Sequence, residues 1–300
     1  MAGPYYITQG RRGLRSNKGS PKRWFIIFTC SVYRCIHVEM VPSESADSFM
    51  MSFSRFLARK PRPKYINSDN GGNFTCTAKI VSELFENLRK RNAELANKYP
   101  DIHWDFNTPR SPHQGGHFER LIGSMKKALA VTLPSAGPLK EEELLTCLIT
   151  CEGLLNSRPL SYVGSNPEDL TPLTPSHFLL QKGYTDIAPA KGYRFKGENF
   201  CERWLNLQKV LDRLWARFIR EVIPNMHRMN AWVTKRRDLQ VGDIVVLLED
   251  KDRGVWPLGR IKETYTSSKD GHTRRAVVSC HGKDYDRSLS RLMVVQESST

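Results

Sequence analysis

The hydrophobic residues of this chain change their period repeatedly, and the order of those changes limits the folds open to it. Trp24–Cys30 (WFIIFTC) is a β-rich apolar run, and Arg34–Val41 (RCIHVEMV) alternates apolar with polar. The two read as antiparallel strands joined by a tight turn. Tyr5–Thr8 reads as the end of an earlier strand, and Gly10–Lys22 as a polar loop. Over Ser45–Arg59 the period becomes helical, with Phe49, Met50, Phe53, Phe56 and Leu57 on one face, and Pro61 and Pro63 end it. Tyr65–Ser68 is then a short strand that leads into Asp69. Strand, helix and strand in that order predict a crossover unit in a mixed sheet.

The same alternation continues. Thr75–Tyr99 and His117–Leu133 have helical spacing, as does Glu141–Ser157, while Ile102–Phe106 is strand-like and the breaker-rich Asn107–Gly116 is loop. Pro-rich Asn166–Pro175 and the Gly- and Lys-containing Gln181–Gly197 mark a boundary. We therefore expect an α/β domain over 1–182 and a linker over 183–235. The linker would carry one long amphipathic helix at about Asn199–Glu221, with Trp204, Leu207, Leu211, Leu214, Trp215, Phe218 and Val222 on its apolar face. From Val241 the period falls to two. Ile244–Leu248, Trp256–Thr264, Arg275–Cys280 and Arg291–Val295 predict a small all-β barrel over 236–300.

Charge narrows the class of partner. The 46 Lys+Arg against 31 Asp+Glu leave +15, a balance that points to a polyanion. Residues 1–66 carry +9, residues 67–190 carry −2 and residues 191–300 carry +8, so a near-neutral middle is flanked by basic segments. No apolar run approaches the roughly 18 residues of a spanning helix, which favours nucleic acid over a membrane. Seven cysteines without a C-x-x-C pair signal neither a disulfide framework nor a zinc site, and the chain reads as reduced and intracellular. Cys147 and Cys151, four apart, read as small buried hydrophobes.

Two acidic residues stand where chemistry is easiest to build. Asp69 follows a strand and opens an Asn-Gly-Gly turn, and ligands of open α/β sheets bind at the carboxyl ends of strands. Glu119 begins a helix whose apolar stripe is Phe118, Leu121, Ile122, Met125 and Leu129; Glu119, Gly123, Lys126 and Ala130 share another face. Either residue alone is also ordinary turn or helix-start chemistry. Together, SDNGGNF at Ser68–Phe74 and PRSPHQGGHFERLIGSMKKAL at Pro109–Leu129 resemble the catalytic core of retroelement integrases, which have a ribonuclease H-like fold. RWFIIFTCSVYRCIHVEMV, LLNSRPL at Leu154–Leu160, LTPSHFLL at Leu173–Leu180 and LQVGDIVVLLEDKDRGVWPLGRI narrow the resemblance to integrases of BEL/Pao-type retrotransposons.

That resemblance implies a ribonuclease H-like core followed by a long helix and a small SH3-like barrel. It implies metal-dependent 3′-end processing and strand transfer of DNA, by oligomers of the chain on DNA in the nucleus. By motif, Asp69 and Glu119 are two of three carboxylates that hold two Mg²⁺ or Mn²⁺ ions. The third would fall just before Met1, where Ala2-Gly3-Pro4 match the end of the family's first strand, so the chain reads as beginning inside its first motif and as weakly active or inactive in this form. Asp47 lies within a predicted helix and fits no part of the pattern. DNA contacts are expected from Arg110, Gln114, Arg120, Lys126 and Lys127 around the Glu119 helix, and from Lys235, Arg236, Arg237 and Arg260 toward the C-terminus. The competing expectation is a non-catalytic DNA- or chromatin-binding protein. A basic scaffold with no nucleic-acid role is the third.

Overall fold

A computed structural model describes residues 2–7, 21–68, 71–91, 102–106, 139–162, 172–181, 202–222, 237–249, 253–266 and 272–298, with residues 123, 126, 129, 132, 133 and 183. The chain is mixed α/β. It divides into two compact units, one of Met1–Thr29, His37–Glu119 and Pro138–Leu145, the other of Cys30–Ile36, Arg120–Gly137 and Thr146–Thr300.

In the first unit, strands β1 (Ala2–Tyr6), β2 (Lys22–Thr29) and β3 (Ile36–Val41) form a sheet in that order. β1 runs antiparallel to β2, with Tyr5 opposite Arg23 and a register shift between Ala2 and Tyr5. The link from β2 to β3 is far too short for a parallel crossover, so that pair is a hairpin. Helix α1 (Ala46–Arg59) begins where the sequence places it, because the Ser45 side chain accepts the Ser48 N–H as N-cap. Strand β4 (Tyr65–Ser68), helix α2 (Gly72–Arg91) and strand β5 (His103–Phe106) follow, and β4 pairs parallel to β5. Among the described residues these ladders make two sheets, β1-β2-β3 and β4-β5, where the sequence leads one to expect a single mixed sheet. What joins them is packing: Ile26, Val41, Phe49, Phe53 and Val81 form one buried cluster, with Trp24, Phe28, Phe56, Ile66, Phe74 and Trp104 against it. Phe28 stacks on Phe56 at 4.4 Å, and Phe53 lies 5.7 Å from Trp104, so α1 bridges β2 and β5.

One charge is buried in this unit. Glu39 on β3, 4% exposed, accepts from His37 Nε2 at 3.0 Å, Arg55 Nε at 2.6 Å and Arg59 Nη1 at 2.7 Å. Burial raises its pKa, but the hydrogen bonds from His37 and Arg55 and the charges of Arg55 and Arg59 outweigh it, so the carboxyl titrates below its ordinary range.

Helix α3 (Glu141–Asn156) carries the chain onward; its start is held in the first unit by the Arg23–Glu141 ion pair at 2.8 Å. In the second unit follow β6 (Ser161–Tyr162), β7 (Pro172–Leu173), helix α4 (Pro175–Leu180) and helix α5 (Glu202–Arg217), which continues as a π-type turn over Phe218–Val222. α5 buries Leu207, Leu211, Leu214 and Trp215 of the stripe its spacing predicts, with Val210 beside them, while Trp204 is only half-buried. Cys147 and Cys151 are buried and reduced, as expected of small core hydrophobes.

The C-terminal sheet departs from expectation. Strands β8 (Ile244–Leu247), β9 (Leu258–Thr266), β10 (Thr273–Cys280), β11 (Lys283–Ser288) and β12 (Leu292–Gln296) pair antiparallel in the order β11-β10-β9-β8-β12. Among the described residues β11 and β12 remain the two edges, so this is an open sheet and not a closed barrel. β11 (KDYDRS) has the charge of an edge that resists further pairing. Its core is Val245, Leu247, Ile261, Ala276, Val278 and Cys280. Gly259 keeps β9 tight on β10, because a Cβ there would stand 2.3 Å from Val278 Cγ1 and 2.7 Å from the Ser279 carbonyl oxygen.

Candidate metal and nucleic-acid site

The first unit prepares the approach to Asp69 on both sides. Tyr65 is level with His103, Ile66 with Trp104, Asn67 with Asp105 and Ser68 with Phe106, so β4 and β5 end together. The last residue of β4 is held: Trp104 Nε1 donates to Ser68 Oγ at 2.9 Å, and Trp104 is itself in the core 6.1 Å from Phe49. Three residues on, Gly71 O accepts from Phe74 N at 2.9 Å and Thr75 N at 3.1 Å, opening α2. Phe74 meets Phe49 edge-on at 4.7 Å, which ties that turn to the same core. Asp69 and Asn70 are the link between these anchored ends and lie outside the described residues. The sequence expectation of a strand passing into an Asn-Gly-Gly turn and a helix therefore has its flanks in place.

Glu119 also lies outside the described residues, with Arg110, Gln114, Arg120 and Lys127. Farther along the same predicted helix, Gly123, Lys126, Leu129, Thr132 and Leu133 are helical. Leu129 is 0% exposed, in keeping with the apolar stripe, whereas Gly123 and Lys126 are only half-buried. Among the described residues nothing stands within 4 Å of where a Gly123 Cβ would be.

For a hard divalent cation, the chemistry of Asp69 and Glu119 is suitable, since Mg²⁺ and Mn²⁺ take carboxylate oxygen. The set of three carboxylates that the resemblance implies has Asp69 and Glu119 as two of its members. Asp47 does not complete it: it is exposed in the first turn of α1, where a carboxylate suits the helix dipole. Among the described residues no group of three or more His, Cys, Asp or Glu is arranged to hold a metal.

The basic residues toward the C-terminus have separate fates. Lys235 and Arg236 lie outside the described residues. Arg237 is bound to protein: its Nη2 and Nη1 donate to Asp243 at 2.6 and 3.2 Å, and its Nε donates to Glu297 at 3.3 Å. Asp243 is 1% exposed and also accepts the N–H groups of Gln240 and Ser298. Burial raises the Asp243 pKa, but Arg237 and these N–H groups hold it below its usual range. Arg237 thus closes the start of the sheet. Arg260, on β9, donates weakly to the Gly242 carbonyl at 3.4 Å. Trp256 is core and not a stacking platform: 7% exposed, it meets Trp215 edge-on at 5.1 Å and donates to Ser157 Oγ at 3.1 Å.

Sequence reasoning missed a buried polar group at the LLNSRPL motif. Asn156 Oδ1 accepts Ile36 N–H at 2.8 Å and its Nδ2 donates to Ile36 O at 2.8 Å, as a neighbouring strand would. Arg158, 4% exposed, donates to Leu155 O at 2.7 Å and to Arg34 O at 2.6 Å. The only sequence signal was the cluster of Asn, Ser and Arg at a helix end; their partners lie up to 124 positions away. No described helix is long and apolar enough to cross a membrane.

A family of unknown function, DUF5641, matches residues 202–295, which run from α5 through the C-terminal sheet. No curated protein matches the chain. Among solved structures, the chain is similar to one from a simian T-cell lymphotropic virus intasome in complex with PP2A regulatory subunit B56 gamma, at 14% identity and TM-score 0.36 over 91% of this chain and 73% of that one.

Proposed function

We propose that the chain is a BEL/Pao-type integrase-derived DNA-processing protein that acts in the nucleus as an oligomer on DNA. The observation that supports this reading is the parallel β4–β5 pair, anchored by Trp104 on Ser68 and followed by the start of α2, with Asp69 next in sequence after β4. Ser68–Phe74 and Pro109–Leu129 supply the motif on which the reading rests, with Asp69 as the family's second carboxylate and Glu119 as its third.

The reaction is phosphodiester exchange. Water attacks a phosphorus near the element end and displaces the element's 3′-oxygen, which becomes a 3′-OH while the short nucleotide departs with the phosphate on its 5′ end; that hydroxyl then attacks a target phosphorus and displaces a target 3′-oxygen. Asp69 and Glu119 are the residues that would hold Mg²⁺ or Mn²⁺, which when bound supplies Lewis-acid stabilisation of charge on the phosphoryl oxygens. Lys126, one turn beyond Gly123 on a partly open helix, and the basic segments on either side would hold the DNA backbone.

A second reading is a non-catalytic DNA- or chromatin-binding protein, for which the basic segments on either side of the near-neutral middle suffice. Both readings require DNA binding. Fluorescence anisotropy with a labelled duplex is expected to show log affinity falling with log salt at a slope of about −5 to −9, as for roughly 6–10 phosphate contacts. A flat salt dependence would contradict both. Mg²⁺-dependent nicking of that duplex, absent from an Asp69→Asn chain, separates the first reading from the second.

A further inference from the structure

The second unit buries positive charge without a counter-ion. Arg158 is 4% exposed and spans from the end of α3 to the 30–36 turn, where its hydrogen bonds to described residues end on carbonyl oxygens, Leu155 O and Arg34 O. Arg34 itself sits at φ 56°, a left-handed conformation that fixes its place in the turn. Its Nη1 is buried with no hydrogen-bond partner. Burial, partly offset by the Cys35 thiol and reinforced by the neighbouring Arg34 charge, pushes Arg158 down to about 10. No carboxylate pairs with either guanidinium among the described residues. A buried cation beside a second, half-buried one is costly unless an anion joins them. Arg is the residue best shaped for that anion, because its planar N–H fork matches the oxygens of phosphate.

We propose that Arg34 and Arg158 form a binding site for a single phosphate-type oxyanion. The anion takes the unpartnered Nη1 of Arg34 together with N–H groups of Arg158 that the Leu155 and Arg34 carbonyls leave unused. Bound there, it locks the 30–36 turn to the end of α3. The site stands whether or not the chain processes DNA. A free phosphate and a backbone phosphodiester offer the same oxygens, and the experiment tells them apart.

The test is thermal unfolding of the full chain in phosphate-free buffer, titrated with inorganic phosphate at constant ionic strength. The wild-type Tm is expected to rise saturably, by mass action on the folded state. Arg34→Gln is expected to weaken the apparent phosphate affinity at least about 10-fold, while Arg34→Lys keeps part of the response. Without phosphate, Arg34→Gln is expected to match or exceed the wild-type Tm, because it removes a cation next to Arg158 and no hydrogen bond. An Arg34→Gln chain that is destabilised without phosphate would instead show a structural role and overturn the proposal. So would a wild-type chain that ignores phosphate, or an equal rise in Arg34→Gln. If a duplex oligonucleotide gives the Arg34-dependent rise and phosphate then adds nothing, the source is the DNA backbone; if the phosphate rise persists unchanged beside DNA, it is the free ion.

Discussion

Asn156→Ala is expected to lower the unfolding free energy by about 2–5 kcal/mol. The side chain is the partner of both backbone groups of Ile36, which is 1% exposed, so alanine leaves one buried N–H and one buried C=O unsatisfied. Each such group costs about 1–3 kcal/mol, more than the net worth of the hydrogen bond itself. Asn156→Asp is expected to do no better, because a carboxylate keeps an acceptor for the N–H but faces the Ile36 carbonyl oxygen. Urea denaturation of the three chains checks this through the midpoint at unchanged slope. A loss below about 0.5 kcal/mol for alanine would mean that Ile36 is served by other partners.

Trp256→Ala should be of similar size, about 3–5 kcal/mol, as for other large-to-small changes in a core. The indole fills the space against Trp215 at 5.1 Å and Phe218 at 6.3 Å, and its N–H donates to Ser157, next to Asn156. Trp256→Phe keeps one ring but loses the donor and part of the indole's bulk; a loss of about 1–3 kcal/mol is expected, smaller than for alanine. Thermal unfolding measures both. Equal effects from the two variants would mean that the ring phenylalanine retains contributes nothing to the packing.

These two residues lie in motifs that the sequence marks without explaining. Periodicity made α1, β4, α2, β5, α3 and α5 legible, because each is amphipathic or bounded by a breaker: Ser45 caps α1 and Pro61 follows it. Strand β11 was not legible. KDYDRS has the composition of a loop, and it is a strand only because β10 supplies a ladder along its whole length. The open edge of the C-terminal sheet was equally hidden, since strand spacing alone does not say whether the last strand meets the first. Glu39 looked like one polar position in an alternating strand. Its burial became clear only with Arg55 and Arg59 brought over it from α1, 16 and 20 positions later. Arg237 shows the opposite error: a basic run reads as surface charge, and the buried Asp243 carboxylate six positions on takes one member of it inward. For the candidate site, the anchors on either side of Asp69 were foreseeable from a strand, a Gly turn and a helix. The hydrogen bond from Trp104 to Ser68 was not, since it depends on the register of a parallel pair 36 residues apart.

The most direct measurement is Mn²⁺ binding in the presence of duplex DNA, followed by the loss of the free-ion EPR signal, for the wild type, Asp69→Asn, Glu119→Gln and the double variant. Each single change is expected to weaken Mn²⁺ at least about 10-fold, the loss that even a supporting group beside a metal causes. The double variant should bind none beyond what DNA alone retains. Mn²⁺ binding of equal strength in the wild type and the double variant would contradict the assignment of Asp69 and Glu119 as the metal-holding carboxylates.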